Sequence, residues 1–328
     1  MGQALEVIFP RSRANLRSRL LPPGAWDTHV HVFDSSVGPF AASRAYTPAQ
    51  ATLERLKSFS TGLSQDARPS HLVLVQPSPY GTDNHVLLHS LKLLREQGYE
   101  TARGIAVVDI NTIRDDELWA MHKLGVRGLR LNMQSDGRAV NVEGLRTLMT
   151  HVAARIKDLP NWKLQLFCPA RVWDDLYDTI HELPVQVIAD HIGGLMGNSK
   201  LQASKYQAQP TDPTTQPGFQ SLISLAQGSK VVVKISGIYR ASSQVESGFS
   251  DLEPIIRALA NKIPDRLIWA TDWPHTGEGN SRMVRDLDKI EGFRTIDNEV
   301  ILRNLKRWVA DKETWKKIMI HNPSSVYN

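Results

Sequence analysis

Short apolar runs alternate with longer amphipathic stretches along most of the chain. Ser70-His71-Leu72-Val73-Leu74-Val75 is nearly continuous in apolar residues, the pattern of a strand buried on both faces. Comparable runs recur at 103–108, 126–131, 163–167, 185–189, 231–234 and 267–270. Ahead of them, Ala25-Trp26-Asp27-Thr28-His29-Val30-His31-Val32-Phe33 alternates between apolar and polar, which predicts a strand with Asp27, His29 and His31 on one side. Helical periodicity fills the gaps at 84–97, 115–124, 142–158, 173–183, 218–227 and 251–263, and two further helices, 297–309 and 311–320, end the chain. Thr47-Pro48 reads as an N-cap followed by a first-turn proline, opening a helix that runs to about Ser58.

Eight strands joined by helices must run parallel, so the pattern predicts an α/β fold of the (β/α)8 TIM barrel type. No composition break divides it. The expected organisation is an N-terminal arm, 1–21, and a single barrel domain, 22–328, closed by C-terminal helices. An open doubly wound sheet is the competing fold; it usually carries a Gly-rich turn after its first strand, where this chain has His29-Val30-His31. The segment 193–217 is long, polar and rich in Gln, Ser, Thr and Pro, and is expected to act as a lid.

Composition narrows the partners. The net charge of +5 draws on Arg11, Arg13, Arg17 and Arg19, and no later segment gathers a basic stripe among aromatics, so nucleic acid is not expected. A local positive site for a small anionic molecule remains. No apolar run approaches the roughly 20 residues of a membrane helix. The one cysteine, Cys168, excludes intrachain disulfides and thiolate metal clusters and fits a reducing, cytoplasmic compartment. The Arg-rich start is read as a surface arm in preference to a transit segment, and the oligomeric state stays open.

In such a barrel, reacting groups gather at the C-terminal ends of the strands. His29 and His31 end the first predicted strand, and Gln76 and Ser78 follow the second. Arg130 and Asn132 end the fourth, Asp190-His191 the sixth; Ser236, Tyr239 and Arg240 follow the seventh, and Asp272 the eighth.

His29-Val30-His31, Gln76-Pro77-Ser78, Arg127 to Asn132, Ala189-Asp190-His191, Ser236 to Arg240, Thr271 to His275 and Asn322-Pro323 together resemble the amidohydrolase superfamily, within it the branch of 2-pyrone-4,6-dicarboxylate lactonase and sugar lactonases. A two-metal member needs a bridging group on strand four and a histidine on strand five. Here those strands offer Arg130, Asn132, Gln165 and Cys168, so two metals are not expected. The reading taken is metal-free, with one zinc on His29, His31, His191 and Asp272 as the alternative.

The resemblance implies a hydrolase that opens a lactone. Asp272 would be the general base, and His29, His31 and His191 would surround the carbonyl oxygen. Imidazoles that titrate near pH 6.5 would make such a cluster sensitive to pH. Arg130 and Arg240 would bind a substrate carboxylate, with Ser78, Tyr46, Gln76 and Tyr239 nearby. Asp136, soon after strand four, weighs against a dicarboxylate and puts a singly charged or bulkier lactone on an equal footing with it. A zinc-dependent decarboxylase or C–C hydrolase, a lactone isomerase and a non-catalytic ligand-binding barrel are the rival readings.

Overall fold

The computed structural model describes residues 20–134, 139–201, 212–277 and 286–328. Eight strands form one sheet in chain order: β1 (Trp26–Val30), β2 (His71–Val75), β3 (Arg103–Ala106), β4 (Val126–Asn132), β5 (Lys163–Phe167), β6 (Val187–Ala189), β7 (Val231–Ile235) and β8 (Leu267–Trp269). Every neighbouring pair is parallel. The expected barrel is therefore present.

Its lower lumen is apolar. Trp26, Val73, Val75, Ile105, Ile188, Val232 and Ile268 cluster there with Val326 and Tyr327 of the last helix, Asn322–Tyr327. Asn322 fixes that plug by donating through Nδ2 to the carbonyls of Pro264 and Leu267 at 2.8 and 2.7 Å. Arg103, at the start of β3, ties the same end by donating through Nε to the Tyr327 carbonyl at 2.9 Å.

Between β8 and β1 the barrel is sewn partly by side chains. Thr28 Oγ1 donates to the Trp269 carbonyl at 2.8 Å, the Asp272 N–H to His29 O at 3.1 Å, and the His31 N–H to Trp273 O at 2.9 Å. The ladder between β1 and β2 carries one extra residue on β1: Trp26 and Asp27 pair with His71 and Leu72, but Val30 pairs with Leu74. A bulge breaks strict alternation. Asp27 therefore does not join the histidines, as simple alternation predicts; its two oxygens accept from the Thr271 N–H and Oγ1–H at 2.9 and 2.6 Å.

A second expectation fails at Thr47-Pro48. These residues form a short parallel ladder with Ile290–Glu291, and the Thr47 hydroxyl donates to the Leu287 carbonyl. A helix does follow, but at Leu53–Leu63 with Thr52 as its N-cap; the long-range partner of Thr47 outcompetes its local capping role. Of the expected lid, the described part includes a short helix, Asn198–Leu201, and a turn, Pro213–Thr215; 202–211 lie outside the described residues. So do Asp136 and the arginines of the N-terminal arm. Among the described residues, no helix is long and apolar enough to cross a membrane.

Candidate active site at the C-terminal rim

Asp272 follows β8 in a left-handed conformation, with φ 61°. Such a backbone costs a non-glycine residue of order 1 kcal/mol or more. Two main-chain bonds hold it there, Asp272 N–H to His29 O and His275 N–H to Asp272 O. The carboxylate is divided in its contacts. Oδ2 accepts from the Tyr239 hydroxyl at 2.6 Å and Arg240 Nε at 3.0 Å. Oδ1 is buried without a hydrogen-bond partner, 3.7 Å from His29 Nε2 and 3.6 Å from His31 Nε2. Burial works against the charge, but Arg240 and the nearby imidazoles outweigh it and hold the carboxyl well below the usual range. The group is ionised at any ordinary pH.

Beneath His29 lies a buried polar network that includes a residue not singled out from sequence. Lys234 Nζ, fully enclosed, donates to Gln165 Oε1 at 2.8 Å and sits 3.1 Å from Asp190 Oδ1. His29 Nδ1 is 3.3 Å from both Asp190 Oδ1 and Lys234 Nζ. Gln165 Nε2 donates to Asp190 Oδ2 at 2.9 Å, and Arg130 Nε stands 3.4 Å from the same oxygen. Burial opposes ionisation of Asp190, yet Lys234 and His29 more than offset it, so the carboxyl is pulled well below normal. Lys234 shifts downward through burial, partly countered by Asp190. A lysine at the end of Val231-Val232-Val233 was the available signal: it shares parity with Val232, which lines the lumen.

The three imidazoles are not equivalent. His31 Nδ1 lies 2.8 Å from the Val75 carbonyl, an acceptor, so Nδ1 carries the proton and the neutral ring presents a lone pair at Nε2. His191 also has a left-handed backbone, φ 52°, and its Nδ1 meets Ser236 Oγ at 2.9 Å. Gly237 makes that approach possible: a Cβ there would lie 2.5 Å from His191 Nδ1. Burial pushes His191 down to about 4 and His29 well below its ordinary value. The expected titration of these two rings near pH 6.5 is therefore displaced to acid pH by desolvation. Phe167 meets His191 edge-on at 4.5 Å, whereas Trp273 stacks on Phe59.

Of the expected substrate contacts, Arg240 is consumed by the protein. Besides Asp272 it donates to Gly277 O at 3.0 Å, to the Tyr239 hydroxyl at 3.1 Å, and to Thr276 O and Oγ1 at 3.2 and 2.8 Å. Tyr239 likewise serves Asp272, and Tyr46 is buried within electrostatic reach of Arg240. These residues shape the carboxylate rather than an open anion site. Arg130 is different. Its contacts are the 3.4 Å approach to Asp190 and a long 3.5 Å bond to the Gln76 carbonyl. Gln76 donates to Asp83 O at 2.6 Å, but its buried Oε1 has no partner. Ser78 opens a turn beside it, Ser78–Tyr80.

One metal ion fits the donor set. His29 Nε2 and Asp272 Oδ1 are both buried and unbonded, and one atom each from His29, His191 and Asp272 lie within 4.8 Å of one another. Zinc bonds of about 2.0 Å separate tetrahedral ligands by about 3.4 Å, close to the 3.6 and 3.7 Å found here. Gln165, engaged by Asp190 and Lys234, stands on β5 where a second ion would need a histidine.

Comparison with known proteins agrees with this architecture. The chain is 27% identical over 332 residues to 4-sulfomuconolactone hydrolase of Hydrogenophaga intermedia, covering 99% of this chain and 97% of that protein. It is 27% identical over 308 residues to 2-pyrone-4,6-dicarboxylate hydrolase of Comamonas testosteroni, covering 94% and 91%. In fold it matches a solved structure from Acinetobacter baumannii, described as a probable 2-pyrone-4,6-dicarboxylic acid hydrolase with citric acid bound, at TM-score 0.66, 24% identity and coverage of 93% and 99%. A zinc-bound amidohydrolase structure from Burkholderia multivorans has the same fold at TM-score 0.60, 16% identity and coverage of 92% and 98%. The amidohydrolase family model matches residues 26–328; with the rim histidines and Asp272 in place on an eight-stranded parallel barrel, the chain belongs to the amidohydrolase family.

Proposed function

We propose that this chain is a hydrolase that opens a carboxylate-bearing lactone, with Asp272 as the base. The observation that carries the reading is the division of its carboxylate: Oδ2 is fixed by Tyr239 and Arg240, while Oδ1 is buried, bare and aimed between two imidazoles. A water lodged against Oδ1 gives up its proton there as its oxygen attacks the ring carbonyl carbon. The carbonyl oxygen becomes anionic and is met by the Nε2–H of His191. Collapse breaks the ring C–O bond, and the departing alkoxide recovers the proton from Asp272. The product is a hydroxy acid.

His191 is the neutral donor of the set, because the Ser236 hydroxyl can donate to Nδ1 and leave the proton on Nε2. His31, with Nδ1 committed to Val75, accepts from the attacking water through Nε2. Arg130 holds the substrate carboxylate beside the reacting centre. The metal-free form is supported by charge: Asp190 is already matched by Lys234 and Arg130, and Asp272 by Arg240. Were zinc bound, His29, His191 and Asp272 would hold it with His31 adjacent, and it would polarise the carbonyl as a Lewis acid.

The names of the two curated relatives support a lactone as substrate. The test is a panel of carboxylated lactones in heavy-oxygen water. Ring opening with one heavy oxygen in the product bears the proposal out; a product isomeric with its substrate, or release of carbon dioxide, replaces it with an isomerase or a decarboxylase. Stoichiometric zinc that is lost together with activity would overturn the metal-free form.

A further inference from the structure

We infer that the substrate carries an apolar arm of about six carbons next to its carboxylate, received by a cavity on the β2–β4 side of the rim. The inference rests on the lactone reading for the reaction but on separate residues for the binding. The cavity measures about 270 Å³, against the roughly 150 Å³ that suffices for a benzene ring. Its walls are Val107, Val108, Ile110, Leu131, Met133 and Leu148, and its polar lining is Gln76, Ser78, Arg130 and Asn132.

That polar lining connects it to the reacting groups. Arg130 lines the cavity and also lies 3.4 Å from Asp190, which holds His29. Gln76 lines it too, directly after Val75, whose carbonyl fixes His31. Gln76 Oε1, buried and unbonded, is an acceptor for a hydroxyl on the ligand. A carboxylate on Arg130 thus places the remainder of the molecule either toward Asp272 or into the apolar walls, and a substituted lactone does both.

Charge excludes the obvious alternative. Among the described residues the lining contains one cation, Arg130, and no acid. A second anionic substituent entering the cavity would exchange its water for valine, leucine and methionine, which is costly; an alkyl or aryl group gains by the same move. This sets the chain apart from a dicarboxylate or sulfonate-bearing substrate such as its relatives' names describe.

The test measures binding of straight-chain monocarboxylates, acetate to octanoate, and of glutarate, by calorimetry. The expected result is a gain of about fourfold in affinity per methylene from butyrate to hexanoate, flattening beyond, with glutarate at least about tenfold weaker than hexanoate. Leu148→Trp, with Val108→Trp as a second variant should the first disturb folding, should abolish the gain and leave acetate unchanged. A flat series, or a gain that survives in both folded variants, overturns the cavity assignment. A clear series in a protein that opens no lactone overturns only the reaction, and lactone opening with a flat series overturns only the arm.

Discussion

The two halves of the rim are built on opposite terms. On the β6–β8 side nearly every polar atom is engaged: Arg240 makes five hydrogen bonds, counting Asp272, Gly277, Tyr239 and two on Thr276, and the backbone is twisted into left-handed turns at His191, Ile192 and Asp272. On the β2–β4 side Arg130 is loosely held, Gln76 Oε1 is bare, and a cavity opens. The difference separates two tasks. On the proposed roles, groups that act on a bond are pinned by the fold, whereas groups that meet a substrate keep donors and acceptors in reserve.

The largest effect tests the pinned half. Asp272→Asn should lower kcat/KM on a confirmed lactone by about 10³-fold or more, without loss of folding by circular dichroism; undiminished turnover would remove Asp272 from the chemistry. Next, Lys234→Met strips Asp190 of one partner in a buried site and should destabilise the fold by about 3 kcal/mol in urea titration. Adding Asp190→Asn should restore much of that, and a single variant as stable as wild type would mean that Arg130 alone neutralises Asp190.

Asp27 gives a pH test of the seam. Burial raises its carboxyl from 3.8 to about 7, against the bonds from Thr271. The folded form therefore keeps a proton that the unfolded chain releases near 3.8. The stabilising contribution is complete below pH 4 and is lost as pH rises through 7, an effect of about 4 kcal/mol. Asp27→Asn should flatten stability between pH 4 and 7; an unchanged slope would assign it to other groups. The smallest effect tests the loose half. Arg130→Lys keeps the charge but loses the planar fork, so KM for a carboxylated lactone should rise about tenfold with kcat little changed. An equal loss in kcat would place Arg130 in the pinned half instead.

Strand positions were legible because each buried strand is a short apolar run, and β5 matches its predicted bounds residue for residue. The placement of His29, His31, His191 and Asp272 on one rim followed from their position after such runs. What periodicity could not convey was the extra residue in β1, which turns Asp27 away from the histidines, since a bulge is a matter of pairing with β2. Nor could it show that Arg240 serves Asp272 while Arg130 keeps donors in reserve: both are arginines at or just beyond a strand end, and the bonds of Arg240 to Gly277 and Thr276 distinguish them. Lys234 looked like the end of a strand because its partners, Gln165 and Asp190, are far away in sequence.

The seam between β8 and β1 has a consequence for how the protein is made. Asp272 and the two β1 histidines stand some 240 residues apart in the chain and are joined by the bonds that close the cylinder. A ribosome releases His29 and His31 early and Asp272 late, so a nascent chain holds imidazoles without their carboxylate for most of its synthesis. On the proposed chemistry, turnover is expected only when the circle is complete, and a truncation that removes the last strand is expected to give a silent polypeptide rather than a weakened enzyme.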